Sequence, residues 1–231
     1  MVCLNMEINR YHFPGYFLRP SSSGEWSHLI GGDCKLPGAI FPGSNKALIQ
    51  IASLDLTDSR LSDLGLSTDV LPLLYGGACA AGEGRLCYSV KGGSIQILEY
   101  QEGAVYDDFP YSNYPVAFEG VSASLHLLTA QEQAVFTQLN CCSDDDWFEL
   151  TQVKHQDMSL PQHMVGGEPY LIGGVENASV CPTCAQPMAL LATGGNAAYV
   201  DSRGFLGNDF VQLVYEFCLK CSTVVQNIYS D

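Results

Sequence analysis

Two Cys-x-x-Cys pairs, Cys181-Pro182-Thr183-Cys184 and Cys218-Leu219-Lys220-Cys221, constrain this chain more than any other feature. Thiolates spaced in this way can grip one ion from a single turn, and two such turns complete a tetrahedron. The spacing predicts a structural Zn²⁺ held by Cys181, Cys184, Cys218 and Cys221. The 33 residues between the pairs exceed a short ribbon loop. "MALLAT" leaves the first pair and "DFVQLVYEF" returns to the second, with Val211, Leu213, Tyr215 and Phe217 alternating on one face. If these segments pair antiparallel, the cysteine turns meet at one end of the ladder. The excursion between them then lies at the far end, where added length costs little entropy. Four thiolates leave no open position for water, so the site is expected to hold structure and not to hydrolyse. A redox dithiol of the thioredoxin type needs a βαβ setting, which is missing here.

The other six cysteines, Cys3, Cys34, Cys79, Cys87, Cys141 and Cys142, lack ligand spacing and read as small buried hydrophobes. Cys141-Cys142 is the pair to watch for redox sensitivity. Around the cysteines the pattern is rich in strands. "KALIQIASL" (46–54), "GRLCYSV" (84–90) and "GSIQILEY" (93–100) are apolar runs bounded by Gly, Asp or Ser, and 114–128 is a further extended stretch. One helix stands out at 129–140, where Thr129 followed by Glu132 makes a capping box.

The sequence also begins again. "HLIGGDCKLPG" from His28 and "HMVGGEPYLIG" from His163 align at an offset of 135, and each leads to an apolar strand. Gly31-Gly32 and Gly166-Gly167 are expected in tight turns with positive φ, and His28 and His163 to bond the turn that each precedes. The expected fold is α+β and β-rich: two related sheet-based lobes, 1–127 and 128–231, with the four-cysteine site in the second. One compact domain is the alternative.

Twenty-five acidic against 10 basic residues give a net charge of −15, and residues 116–231 hold 13 of the acids but only 3 of the bases. Such a field repels nucleic acid and anionic membranes and draws in a basic protein, although net charge also serves plain solubility. Asp144, Asp145 and Asp146, followed by Trp147 and Phe148, read as a solvated loop or as a docking site in which the aromatics supply anchors. No apolar run is long enough to span a bilayer, and the first 20 residues lack a basic-then-apolar leader, so a cytoplasmic protein is expected. G-x-S-x-G, H-E-x-x-H and phosphate loops are all missing. A non-enzymatic binding protein is therefore expected, with an enzyme using His12, His28, His126, His155 or His163 between the lobes as the alternative.

"HMVGGEPYLIGG", "CPTCAQPMALLAT" and "FVQLVYEFCLKC" together resemble the C-terminal half of the YwqG-like bacterial family, and "HLIGGDCKLPGAIFPGSNKALIQIASLDL" resembles its N-terminal stretch. The cysteine-bearing half is also similar to the programmed cell death protein 2 family. The first resemblance implies a sheet-rich α+β fold in mostly uncharacterised proteins, some encoded near secreted toxins. It leads to the expectation of an immunity-type protein that masks a basic toxin. The second implies a chaperone-like binder of a basic ribosomal client. Asp33-Cys34 faces Glu168-Pro169 across the two copies, and Ala185 stands where glycine commonly follows the cysteine pair. Neither resemblance supplies a catalytic residue.

Overall fold

The computed structural model describes residues 9–10, 14–22, 24–43, 45–66, 68–76, 84–101, 110–142, 146, 149–150, 158, 160–172, 179–200 and 203–230. Among these, twelve strands form one sheet. They are β1 (Asn9–Arg10), β2 (Tyr16–Pro20), β3 (His28–Ile30), β4 (Ile49–Asp55), β5 (Val70–Tyr75), β6 (Arg85–Lys91), β7 (Ser94–Gln101), β8 (Val121–Leu127), β9 (Met164–Val165), β10 (Ala189–Gly194), β11 (Val211–Cys218) and β12 (Thr223–Ser230). The spatial order is β5-β4-β3-β8-β2-β9-β10-β11-β12-β6-β7, and β1 adds in parallel to β10. All pairings along that path are antiparallel. The β-rich character matches expectation. β6 and β7, from the first half of the chain, lie beyond β12 of the second, so the sheet runs on across residue 127.

The sheet curls. Tyr88 on β6 donates its hydroxyl to the Pro72 carbonyl at 2.7 Å and accepts from the Leu74 amide at 3.2 Å, both on the distant β5. The Ile95 amide of β7 bonds the Pro37 carbonyl at 2.8 Å. The concave side holds the main core, including Ile51, Leu54, Leu71, Tyr75, Tyr88, Leu213, Tyr215 and Phe217. β11 is buried on both faces, because Val214 on its other side packs with Leu171 and Leu190. The alternation over 211–217 therefore divides two cores and does not separate core from solvent. The extended stretch over 114–128 becomes a strand only from Val121.

The helix α1 (Ala130–Leu139) forms as read, with the Thr129–Glu132 capping box complete. It lays Val135, Phe136 and Leu139 against Phe17, Leu128, Leu150 and Met164, with the Phe17 and Phe136 rings edge to face at 5.9 Å. A 3₁₀ turn, Ser59–Leu64, is capped by the Asp58 side chain and ends at Gly65.

The strands after the two Gly-Gly turns pair alike. Leu29 faces Ser53 and Ile30 faces Ala52; Met164 faces Thr193 and Val165 faces Ala192. The next pairing shifts register between Gln50 and Ala52 in one case and between Leu190 and Ala192 in the other. Isolated bridges join Ile40 to Ala47 and Val180 to Pro187. All four turn glycines have positive φ, between 63° and 81°. The turns also pack backbone on backbone: a Cβ on Gly31 would sit 2.6 Å from the Glu119 carbonyl oxygen, and one on Gly167 would sit 2.5 Å from the Gly15 Cα.

Candidate metal centre

The strand register assembles the cysteines. β10 and β11 pair with Ala189 opposite Phe217, so the chain entering β10 and the chain leaving β11 lie side by side. In the first turn the Cys181 amide bonds the Gln186 carbonyl and the Ala185 amide bonds the Cys181 carbonyl, each at 2.9 Å. In the second the Cys221 amide bonds the Cys218 carbonyl at 3.2 Å, and β12 follows at once. The residue after each pair is left-handed, Ala185 at φ 55° and Ser222 at φ 51°. Non-glycine residues adopt this conformation at a cost of about 1–2 kcal/mol each, so the same strained turn is held twice.

The four ligand atoms of Cys181, Cys184, Cys218 and Cys221 lie within 4.8 Å of one another, with the Cys184 and Cys218 sulfurs 3.7 Å apart. Cys181, Cys218 and Cys221 are buried and Cys184 is half-buried. This cluster can hold a metal ion, as the sequence led one to expect. Burial disfavours the Cys181 thiolate, but the Cys184 and Thr183 amides that point at its sulfur outweigh this and bring its pKa down to about 7. Burial, together with the neighbouring sulfurs, pushes Cys221 up to about 12, and burial also raises Cys218. Four crowded thiols cannot all ionise against one another; a dication removes that conflict.

The surroundings include a residue that spacing alone does not flag. Cys87 on β6 is fully buried and packs with Met188, Val225 and the four cysteines. Burial raises its thiol to about 11, and its sulfur lies 3.6 Å from Glu99 Oε2. The hydrophobic character of a free cysteine was the available signal for its burial, but its neighbours come from β12, far along the chain. Behind the first turn, the buried Glu216 accepts from the Ser179 amide at 2.7 Å and from Asn227 Nδ2 at 3.2 Å. Burial, above all, raises its pKa.

Of the remaining described cysteines, none is fully buried. Cys141 is exposed, because it sits in the turn just past α1, and Cys34 and Cys142 are half-buried. Cys3 and Cys79 lie outside the described residues, as do Asp144, Asp145, Trp147, Phe148, His12 and His155. Asp146 is exposed, and so is His126 on β8.

His28 and His163 are buried, and neither bonds the turn that it precedes. Their rings point across the neighbouring strand to the loop that follows it. His28 Nδ1 accepts from the Asp55 amide at 3.0 Å, which leaves Nε2 to donate to Asp58 Oδ2 at 3.0 Å. His163 Nδ1 accepts from the Gly195 amide at 3.4 Å, and Nε2 donates to the Ala197 carbonyl at 2.7 Å. Burial lowers the pKa of both rings. Each is a neutral imidazole with both nitrogens engaged, so neither offers a free lone pair to act as a base.

No helix among the described residues is long and apolar enough to cross a membrane. No family model, curated protein or solved structure matches the chain.

Proposed function

We infer that this is a non-enzymatic, zinc-stapled protein that binds a basic protein partner, most simply an immunity-type protein that masks a cationic toxin. The observation that carries the reading is the net charge of −15, weighted toward the half that bears the cysteines. A tetrahedral Zn²⁺ with sulfurs ~2.3 Å away spaces them ~3.8 Å apart, in keeping with the 3.7 Å between Cys184 and Cys218. Bound zinc with four thiolates adds two further negative charges to that face. The engaged imidazoles of His28 and His163 favour binding over catalysis.

The internal repeat belongs to the same reading. At an offset of 140, the Ile40–Ala47 bridge coincides with Val180–Pro187, and the Asp55 amide on His28 coincides with the Gly195 amide on His163. β5-β4-β3-β8 and β11-β10-β9-β2 run outward from the antiparallel β8·β2 pair, as a local two-fold would arrange them. In this scheme Phe41 stands where Cys181 stands, and its edge-to-face contact with Tyr100 supplies by packing what metal supplies in the second copy.

The test is affinity capture from the native host, followed by association kinetics of the captured protein. The reading expects a partner rich in Lys and Arg whose association slows at least ~10-fold between about 50 and 300 mM salt. Charge reversal at Asp144, Asp145 and Asp146 should slow association, and Trp147→Ala should speed dissociation. An acidic partner, or association indifferent to salt, overturns it. A basic ribosomal protein as the partner favours the chaperone-like alternative.

A further inference from the structure

The first half of the molecule spends charge where the second half does not. Beneath His28 lies Asp58, fully buried, which accepts from His28 and is gripped by the Arg60 guanidinium through Nε and Nη2. The Arg60 side chain also donates through Nη1 to the Leu125 carbonyl at 2.9 Å. At the 140-residue offset, Asp58 and Arg60 correspond to Ala198 and Val200, and His163 is satisfied there by a backbone carbonyl. This comparison rests on the repeat reading above. Burying an ion pair rarely stabilises a fold over apolar residues of similar size, and here the same arrangement is completed without one. Asp58 caps the 3₁₀ turn and Arg60 holds the Leu125 carbonyl, but the second copy is completed without either charge, so a ligand-binding role can stand beside the structural one.

A cavity of about 410 Å³ lies over this group, lined also by Glu25, Trp26, Ser59 and Ser124. Beside His163 the space is about 80 Å³, with the Tyr199 ring 5.9 Å from the imidazole, and Ala198, Tyr199 and Val200, which correspond to Asp58, Ser59 and Arg60, line a separate cavity of about 280 Å³ that lacks a basic side chain. Asp58 and Leu125 occupy Nε and one hydrogen on each Nη of Arg60, whose side chain is 33% exposed. One N–H on each Nη is left without a partner among the described residues. The Ser59 and Ser124 hydroxyls are likewise unpartnered there, and the Glu25 carboxylate is exposed at the rim. An anion alone would meet Glu25, and a cation alone would meet Arg60. A ligand that carries both signs satisfies both.

We propose that this cavity binds a small zwitterion, its carboxylate on the Arg60 guanidinium and the Ser59 and Ser124 hydroxyls, its ammonium on Glu25 beside the Trp26 ring. A free α-amino acid is the simplest such molecule. Asp58 is a positioning residue: it fixes the guanidinium plane, and His28 fixes Asp58.

The test is calorimetry and thermal-shift measurement on the full metal-loaded chain with the twenty free amino acids. The amide and the N-acetyl derivative of any binder follow, each of which removes one charge. Saturable binding of at least one amino acid is expected, at least ~10-fold weaker for either derivative. Glu25→Gln should weaken binding at least ~10-fold with an unchanged melting temperature, since Glu25 is exposed. Arg60→Lys, which keeps the charge and loses the fork, should also weaken binding at least ~10-fold, with a lower melting temperature because Asp58 and the Leu125 carbonyl lose donors. No binding at millimolar concentration, equal binding of a singly charged derivative, or an unaffected Glu25→Gln variant overturns the proposal.

Discussion

Replacing Gly167 with alanine tests whether close backbone approach, and not merely turn geometry, holds the sheet at its centre. The new Cβ would lie 2.5 Å from Gly15 Cα and 3.0 Å from Gly15 N, both backbone atoms that cannot swing aside. At φ 63° the left-handed conformation costs alanine about 1–2 kcal/mol, and forced displacement of packed backbone adds about 1–3 kcal/mol. The stiffer unfolded chain returns about 0.4–1 kcal/mol. The net expectation is a loss of roughly 1–4.5 kcal/mol. Gly43 is the control, with φ 73° and nothing within 4 Å of its added Cβ. Gly43→Ala meets only the conformational cost, roughly 0–1.6 kcal/mol after the unfolded-state gain. Urea denaturation of the two variants with metal bound gives the comparison. If Gly167→Ala is no less stable than Gly43→Ala, the close approach of Gly167 to Gly15 carries no weight.

Two further outcomes follow from the same structure. Burial lowers the pKa of His28 and His163, so the unfolded chain binds more protons as pH falls below about 6.5; stability should drop through that window and recover as pH rises. Denaturation at a series of pH values, with metal retention followed in parallel, checks this, and a flat profile contradicts it. Alkylation of the native protein should modify the exposed Cys141 well before Cys87, because Cys87 is buried with its thiol raised to about 11. Peptide mapping over time reads the order, and equal rates at the two sites would contradict it.

The local signals in the sequence were legible because their causes are local. Thr129 and Glu132 specify a helix start from side-chain reach alone, and the α1 cap forms as read. The cysteine turns are likewise set by two short segments, and a single strand pairing brings them together. The Gly-Gly turns have the positive φ that their composition calls for. The features without a local signal depend on the path of the sheet. Nothing near Cys87 announces that β6 lies against β12, so its burial beside the four cysteines was invisible. His28 finds Asp58 thirty residues on, across β4, and the charge on Arg60 reads in sequence as ordinary surface. The alternation along β11 does not disclose its double burial, because a period of two also fits a strand buried against two different cores.

Native mass spectrometry of protein purified without chelator tests directly whether the four thiolates hold a metal ion. One zinc per chain is expected, lost on replacing Cys184 with serine and retained on replacing Cys87 with serine, because Cys87 packs beside the site and is not among its four ligands. A folded, metal-free chain with Cys181, Cys184, Cys218 and Cys221 all intact as thiols, and unchanged in mass on adding Zn²⁺, would contradict the central claim.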